Sequence, residues 1–444
     1  YLKFVETHSY TVSLMLIGIK DFPDEMGPGS ASDFTAEAKF GLDWLLKMWD
    51  DATRTLYYQV GVGEANARFA GDHDIWRLPQ ADDGMGGSDP RFKYIRNRPV
   101  FAAGKSNSAI SPNLAGRLAS DFALAFQVFK ATQPSFAMQC LLSAEHIYDL
   151  ANIRHPGGLL TVAPFDFYPE TEWRDDLELG ATELFNALQG AGMSLPDGLP
   201  HTDPLFYLRS AARWANAYIT GPNDAADTLN LFDVSGLAHF ELYRALGRAG
   251  NPPDLPVGQS ALLADLKKQL DGAVRLSQAD PFGYGTPWNQ SDSATRGVAL
   301  SIMANEYDFL TGTTTYAPFG ERWLDAVLGA NAWGTSFITG AGSVFPFCMQ
   351  HQVANLAGST GGATPILMGA LVEGPNSSGS SGLVDGMVTC PPDGGNRYAE
   401  FDGNGAVFID DVQSFATVEP AIDLTAPSPL AFAWRIAGGP AGSQ

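Results

Sequence analysis

Residues 33–49, DFTAEAKFGLDWLLKMW, decide the architecture. Ser32-Asp33 supplies side-chain oxygens that favour a helix start, and apolar residues then recur at helical spacing as far as Trp49. The same pattern returns along the whole chain, near residues 8–20, 32–50, 114–131, 134–151, 173–190, 204–219, 233–248, 257–276, 292–312, 318–329, 361–372 and 425–437. Thr202-Asp203-Pro204 opens one such segment, LFYLRSAARWANAY. Strand signal is slight. Between the helices lie long loops rich in Gly, Pro and Asp, at 60–112, 152–172, 277–291 and 373–420. Loops of that length inside a domain are usually functional.

Twelve helices with elaborate loops at alternate ends predict an all-α fold: a double ring of helices, an (α/α)6 barrel, whose loops form a substrate cleft at one end. Two separate helical bundles are the alternative, but no low-complexity linker divides the chain. The run SSGSSG at 377–382 lies between loop segments and reads as a flexible tip. Residues 1–444 are therefore expected to form a single domain, long for one but within reach of closed toroidal folds.

Composition narrows the function. Hydrophobic residues make up 45 %, enough for a large core. The net charge of −22 repels nucleic-acid phosphates and anionic membrane surfaces, and favours a neutral or cationic substrate. No apolar run is long enough to span a bilayer. Cys140, Cys348 and Cys390 are far apart and form no CxxC pair, so a structural zinc site is not expected. One disulfide with a free thiol and three reduced thiols both remain open. Few Lys and Cys, with much Asp, Asn and Gly, suit a secreted protein.

Four stretches carry candidate chemistry. GDHDIWRLPQADD (71–83) packs His73, Trp76, Arg77 and four Asp into a polar loop. An aromatic face beside polar groups is what a sugar subsite needs; a solvated acidic loop anchored by Trp76 is the plainer reading. LDAVLGANAWGTSFITGAGSVFPFCMQHQVAN (324–355) leads through a Gly-rich segment to a lone His351, with no phosphate-loop pattern. In FIDDVQSFATVEPAIDLTAPSPLAF (408–432), Glu419 sits in an apolar setting before the last helix. Desolvation there would raise its pKa, as a general acid requires, whereas a helix N-terminus would lower it. FYPETEWRDDLELGATELFNA (167–187) brings Glu170, Glu172, Asp175 and Asp176 to a helix start, as oxygen ligands for a hard cation or as ordinary acidic capping.

In this order the stretches resemble glycoside hydrolase family 9, the inverting β-1,4-glucanases. DHDIWRLPQADD looks like the family's H-x-x-W-x-R-P-E-D loop, and WRDDLELGATELF like its D-E-L-x-W-A-A-A-x-L helix. LDAVLGANAWGTSFITG is similar to Y-x-L-G-x-N-P-x-G-x-S-Y-V-x-G, ALVEGPN to G-A-L-V-G-G-P, and DDVQSFATVEPAID to D-D-R-x-x-Y-x-x-N-E-V-A-x-D.

The resemblance implies Glu419 as general acid. It implies His73, Trp76, Arg77, Trp288, Phe232, His351 and Tyr398 as substrate-binding residues, Phe232 standing where Trp is common and His351 in a Gln-His-Gln that lacks the family's Arg. It implies calcium, where bound, at Asp175, Asp176 and Asp233, with oxygens near Thr171 and Glu172, and no other cofactor. A monomer acting on β-glucan is expected. The opening YLKFVETHSYTVSLML looks like the text that follows the family's D-A-G-D motif, so the base aspartates, the first barrel helix and, in many relatives, an immunoglobulin-like module are expected before Tyr1. Within 1–444, Glu6 and Asp21 are the acids nearest that point, one inside a helix pattern and one at its far end. An exo-acting glycosidase on cello- or chito-oligosaccharides, or a base-less glucan-binding protein, are the alternatives.

Overall fold

The computed structural model describes all residues except 65, 67, 84–88, 223–228, 359–366 and 442–444. Eleven long helices dominate the described residues: α1 (Val5–Asp21), α2 (Thr35–Met48), α3 (Pro112–Phe129), α4 (Pro134–Asp149), α5 (Arg174–Gln189), α6 (Pro204–Ile219), α7 (Ser235–Arg248), α8 (Gln259–Ala279), α9 (Ser293–Thr311), α10 (Ala317–Val327) and α11 (Pro427–Ala437). No helix is long and apolar enough to cross a membrane among the described residues.

The odd-numbered helices form an inner ring. α1 packs on α3, α3 on α5, α5 on α7, α7 on α9, α9 on α11, and α11 returns to α1. The even-numbered helices lie outside, each following one inner helix and packing on it. α2, α4, α6 and α8 also touch the next inner helix. Burial follows this plan: inner α3 is buried along almost its full length, as are α5 and α9, whereas α2 and α8 bury one face. The predicted (α/α)6 barrel is the architecture observed.

Among the described residues five outer helices serve six inner ones, and an apolar groove of about 750 Å³ lies outside α11 and α1. Met15, Met26, Phe34, Met368, Phe432 and Ile436 line it, with Ile436 74 % and Met368 62 % exposed. The helix expected at 361–372 lies partly outside the described residues. Its described end is a turn at Leu367–Gly369 followed by extended Leu371 and Val372, which pair with Ile338 and Pro420.

The inner helices all begin at one end of the barrel. Asn113 and Arg117 at the start of α3 meet Glu170 and, on α5, Arg117 meets Asp176. Asp175 of α5 accepts the N–H of Val234 just before α7 at 2.6 Å. At the opposite end, Lys20 reaches Glu241 (3.0 Å) and Arg244 pairs with Asp21 (2.5 Å), closing the barrel with buried ion pairs. Asp21 thus belongs to the far end.

A small antiparallel sheet, little signalled in the sequence, anchors the first residues. Its central strand β3 (Thr55–Val60) pairs with β1 (Lys3–Phe4), β2 (Trp49–Asp50) and β4 (Val100–Ala102). Alternation in TLYYQV is its only local cue.

Candidate active site

The floor of the cleft is built where two extended segments meet. Val372 pairs antiparallel with Pro420, the Glu373 N–H donates to the Glu419 carbonyl at 3.0 Å, and the Gly374 N–H donates to the Thr417 carbonyl at 3.0 Å. Glu419 is therefore in extended backbone (φ −73°, ψ 123°) after a short helix, Phe415–Val418, and not in the first turn of α11. The helix-terminal reading of this residue is set aside by that placement. Burial raises the Glu419 carboxyl to about 7, and the nearby Asp423 carboxyl adds to the rise. Asp423 itself is 5 % exposed and raised to about 7 by the same desolvation, with Asp292 contributing.

Two acids that the motif reading did not single out, Asp423 and Glu373, join Glu419, and Glu6, weighed above for its nearness to Tyr1, lies near Asp423. Asp423 has a buried oxygen without a partner. Glu373 accepts the Asp292 N–H at 2.5 Å, and burial together with Asp292, Glu419 and Asp423 holds its proton well above the usual carboxyl range. Glu6, on α1, is fully buried with both oxygens unpartnered, and is pushed well up by burial and by Glu170. Tyr168 feels Asp423, Glu419, Glu373 and Glu6 together, so these groups surround it. Their signal in the sequence is weak, because they come from four separate segments.

The rim is the 71–83 loop. His73 is exposed and stacks on Phe167, with ring centres 4.6 Å apart. Arg77 is 6 % exposed and held by Asp72 at 2.7 Å and by Asp82, and Arg98 bridges the same two acids. Its guanidinium shapes the loop and is not free for a sugar. Trp76 is 8 % exposed and packs with Val412 on the Cys348–Cys390 disulfide. The plainer reading holds for Trp76, which anchors the loop. Cys140 is a buried free thiol.

Trp288 is half-buried, 4.6 Å from Tyr284, and its carbonyl accepts the Ser377 N–H at 2.7 Å. Phe232 is half-buried after Asn230, which accepts its N–H at 2.7 Å. His351 is half-buried, accepts the Ala354 N–H on Nδ1 at 3.3 Å, and faces the apolar groove. Tyr398 was expected to reach the cleft; it is 4 % exposed and packs on Phe408 with Arg397 over its ring. The apolar run around Phe408 draws it inward.

Some of the acids expected to hold calcium are engaged, while Asp176 has both carboxylate oxygens, and Asp175 one, buried without a hydrogen bond. Glu172 is chelated by Arg174 at 2.8 Å, and Asp176 lies 3.0 Å from Arg117. Asp233 accepts from Tyr218 at 2.7 Å, while Asp175 keeps one buried oxygen unpartnered. Among the described residues no three His, Cys, Asp or Glu side chains converge as a metal ion would need. Thr171, Glu172, Asp175, Asp176 and Asp233 thus do not form a ready cage, and calcium enters no step below.

Comparison with known proteins agrees with this fold. The family model "Glycosyl hydrolase family 9" matches residues 1–432. Endoglucanase 2 of Oryza sativa subsp. japonica is 23 % identical over 91 % of this chain and 61 % of its own length. Endoglucanase 10 of Arabidopsis thaliana is 22 % identical over 84 % of this chain and 71 % of its own. The chain thus spans about three-fifths of the rice relative. Among solved structures, the cellulase Cel9M of C. cellulolyticum superposes with a TM-score of 0.72 at 19 % identity, over 99 % of this chain and 86 % of that one. The catalytic domain of Clostridium thermocellum CelT gives 0.68 at 20 % identity, over 98 % and 80 %. With the model matching nearly its whole length, this chain belongs to glycosyl hydrolase family 9.

Proposed function

We propose that the protein hydrolyses β-1,4-glucosidic bonds of cellulose or related β-glucans with inversion, Glu419 acting as general acid. The observation that carries this is the Glu419 carboxyl, desolvated on the cleft floor and raised to about 7. At neutral pH about half of such a group is protonated, and the protonated form can give its proton to the departing glycosidic oxygen. Once the bond breaks, the carboxylate left behind takes a proton from solvent. Cel9M has been solved with cellobiose bound, which supports a cleft shaped for such chains.

Inversion needs a second carboxylate to activate water from the opposite face of the sugar, roughly 6.5–9.5 Å from the acid. Glu6 does not suit that role, because its carboxyl is fully buried and held protonated. We place the base on a segment preceding Tyr1. Tyr1 supports this, fixed with its hydroxyl donating to the carbonyl of Arg77 in the 71–83 loop at 2.6 Å. A secreted monomer is part of the same reading, supported by the Cys348–Cys390 disulfide, which suits an oxidising compartment.

The test is reducing-sugar release from soluble β-glucan by the full-length gene product and its Glu419→Gln variant. A loss of about 10²–10⁴-fold with retained cello-oligosaccharide binding is expected. Equal turnover would overturn the assignment.

A further inference from the structure

The segment 373–375 does more than support Glu419. Its first two residues behave differently. Gly374 (φ +89°) could not carry a side chain, because a Cβ there would lie 2.9 Å from the Ala294 Cβ and 2.9 Å from the Ser293 Oγ. Glu373, next to it, has room. In the G-A-L-V-G-G-P pattern that ALVEGPN resembles, both positions are glycine, so this chain keeps the sterically required glycine and places a carboxyl at the other.

Glu373 is tied on three sides. Its N–H donates to the Glu419 carbonyl at 3.0 Å, its carbonyl accepts the Ala294 N–H at 3.1 Å, and its Oε2 accepts the Asp292 N–H at 2.5 Å. Asp292 is in left-handed backbone (φ 57°), which turns its N–H toward the carboxyl. The side chain is thereby fixed with one oxygen used. Glu373 is half-buried, and among the described residues no group hydrogen-bonds its Oε1, which keeps contact with solvent. No Lys or Arg pairs with Glu373, Glu419 or Asp423 among the described residues, so three crowded carboxyls favour the protonated state of Glu373. With Oε2 occupied as an acceptor, the proton resides on Oε1.

We propose that Glu373 is a substrate-contacting, specificity-determining residue, donating its Oε1–H to a sugar oxygen in the subsite beside Glu419. The inference rests on the reading of the cleft as a β-glucan site. A neutral donor next to the acid holds the sugar ring without placing a second charge against it. Glycine at this position could make no such contact.

The experiment is calorimetric titration of cellotetraose at pH 6 into the full-length Glu419→Gln protein, which serves as the uncleaving parent, and into the same parent carrying Glu373→Gln or Glu373→Ala, beside thermal melts of all three. Binding is then read without turnover. Gln keeps both the acceptor for Asp292 and an outward donor, so Glu373→Gln is expected to bind within about threefold of the parent. Glu373→Ala is expected to bind about tenfold more weakly, the effect of one lost hydrogen bond. Equal binding by parent and Glu373→Ala, or equal weakening in both variants, would overturn the proposal. No binding by the parent would instead overturn the β-glucan reading itself.

Discussion

Asp423 stands four residues beyond Glu419 and adds its charge to the burial that raises the Glu419 carboxyl to about 7; Asp423 itself is raised to about 7 by burial and by Asp292. A general acid must be protonated to act, so turnover should fall as pH rises through about 7. Removing the Asp423 charge makes Glu419 easier to ionise. Asp423→Asn is therefore expected to move the alkaline limb of the pH–rate profile to lower pH. An unmoved limb would mean that another group sets it.

The same raised value has a consequence for stability. A carboxyl whose folded pKa lies above its unfolded value keeps its proton better when folded, so ionisation opposes folding as pH rises from about 4.5 to about 7. Glu419→Gln removes that cost. It is expected to stabilise the protein by about 1–3 kcal/mol at pH 8 and by nothing at pH 4. Denaturant unfolding at the two pH values checks this.

These acids also show what the sequence disclosed. The helical spacing of 33–49 and its repeats made the double ring legible, because burial of one helix face leaves a periodic trace. The motif around Glu419 was legible for the same local reason. Asp423 lies in the same motif, but Glu373, Glu6 and Tyr168 were not legible as its neighbours, since they meet only through tertiary contacts. Trp76, Arg77 and Tyr398 are residue types that serve sugars and cores alike, and only burial separates the two uses: Trp76 lies on the disulfide, Arg77 between two aspartates, and Tyr398 on Phe408.

His239 on α7 is fully buried between Glu178 (2.7 Å) and Asp265 (3.3 Å), and these carboxylates raise it to about 10 against the opposing effect of burial. Its folded pKa is raised, so its contribution is fully present below about 6.5 and is lost as pH rises through about 10. His239→Gln leaves two carboxylates without their cation. A loss of about 3–5 kcal/mol at pH 6 is expected, shrinking toward pH 10. A loss that does not vary with pH would contradict the charged triad.

Cys348 and Cys390 close a 42-residue separation and form the bed on which Trp76 rests. Replacing both by Ser is expected to cost about 2–4 kcal/mol and to loosen the 71–83 loop. Thermal melts, with tryptophan fluorescence as the local probe, test both. Cys140 should stay unreactive to thiol reagents in the folded protein, because it is buried.

The most direct test of the account is the anomer first released. Full-length protein acting on cellotetraose is followed by proton NMR, with Glu419→Gln alongside. The account predicts that the α-anomer appears first and that the Glu419→Gln variant releases almost none. First release of the β-anomer, or undiminished release by Glu419→Gln, would contradict inverting hydrolysis with Glu419 as its acid.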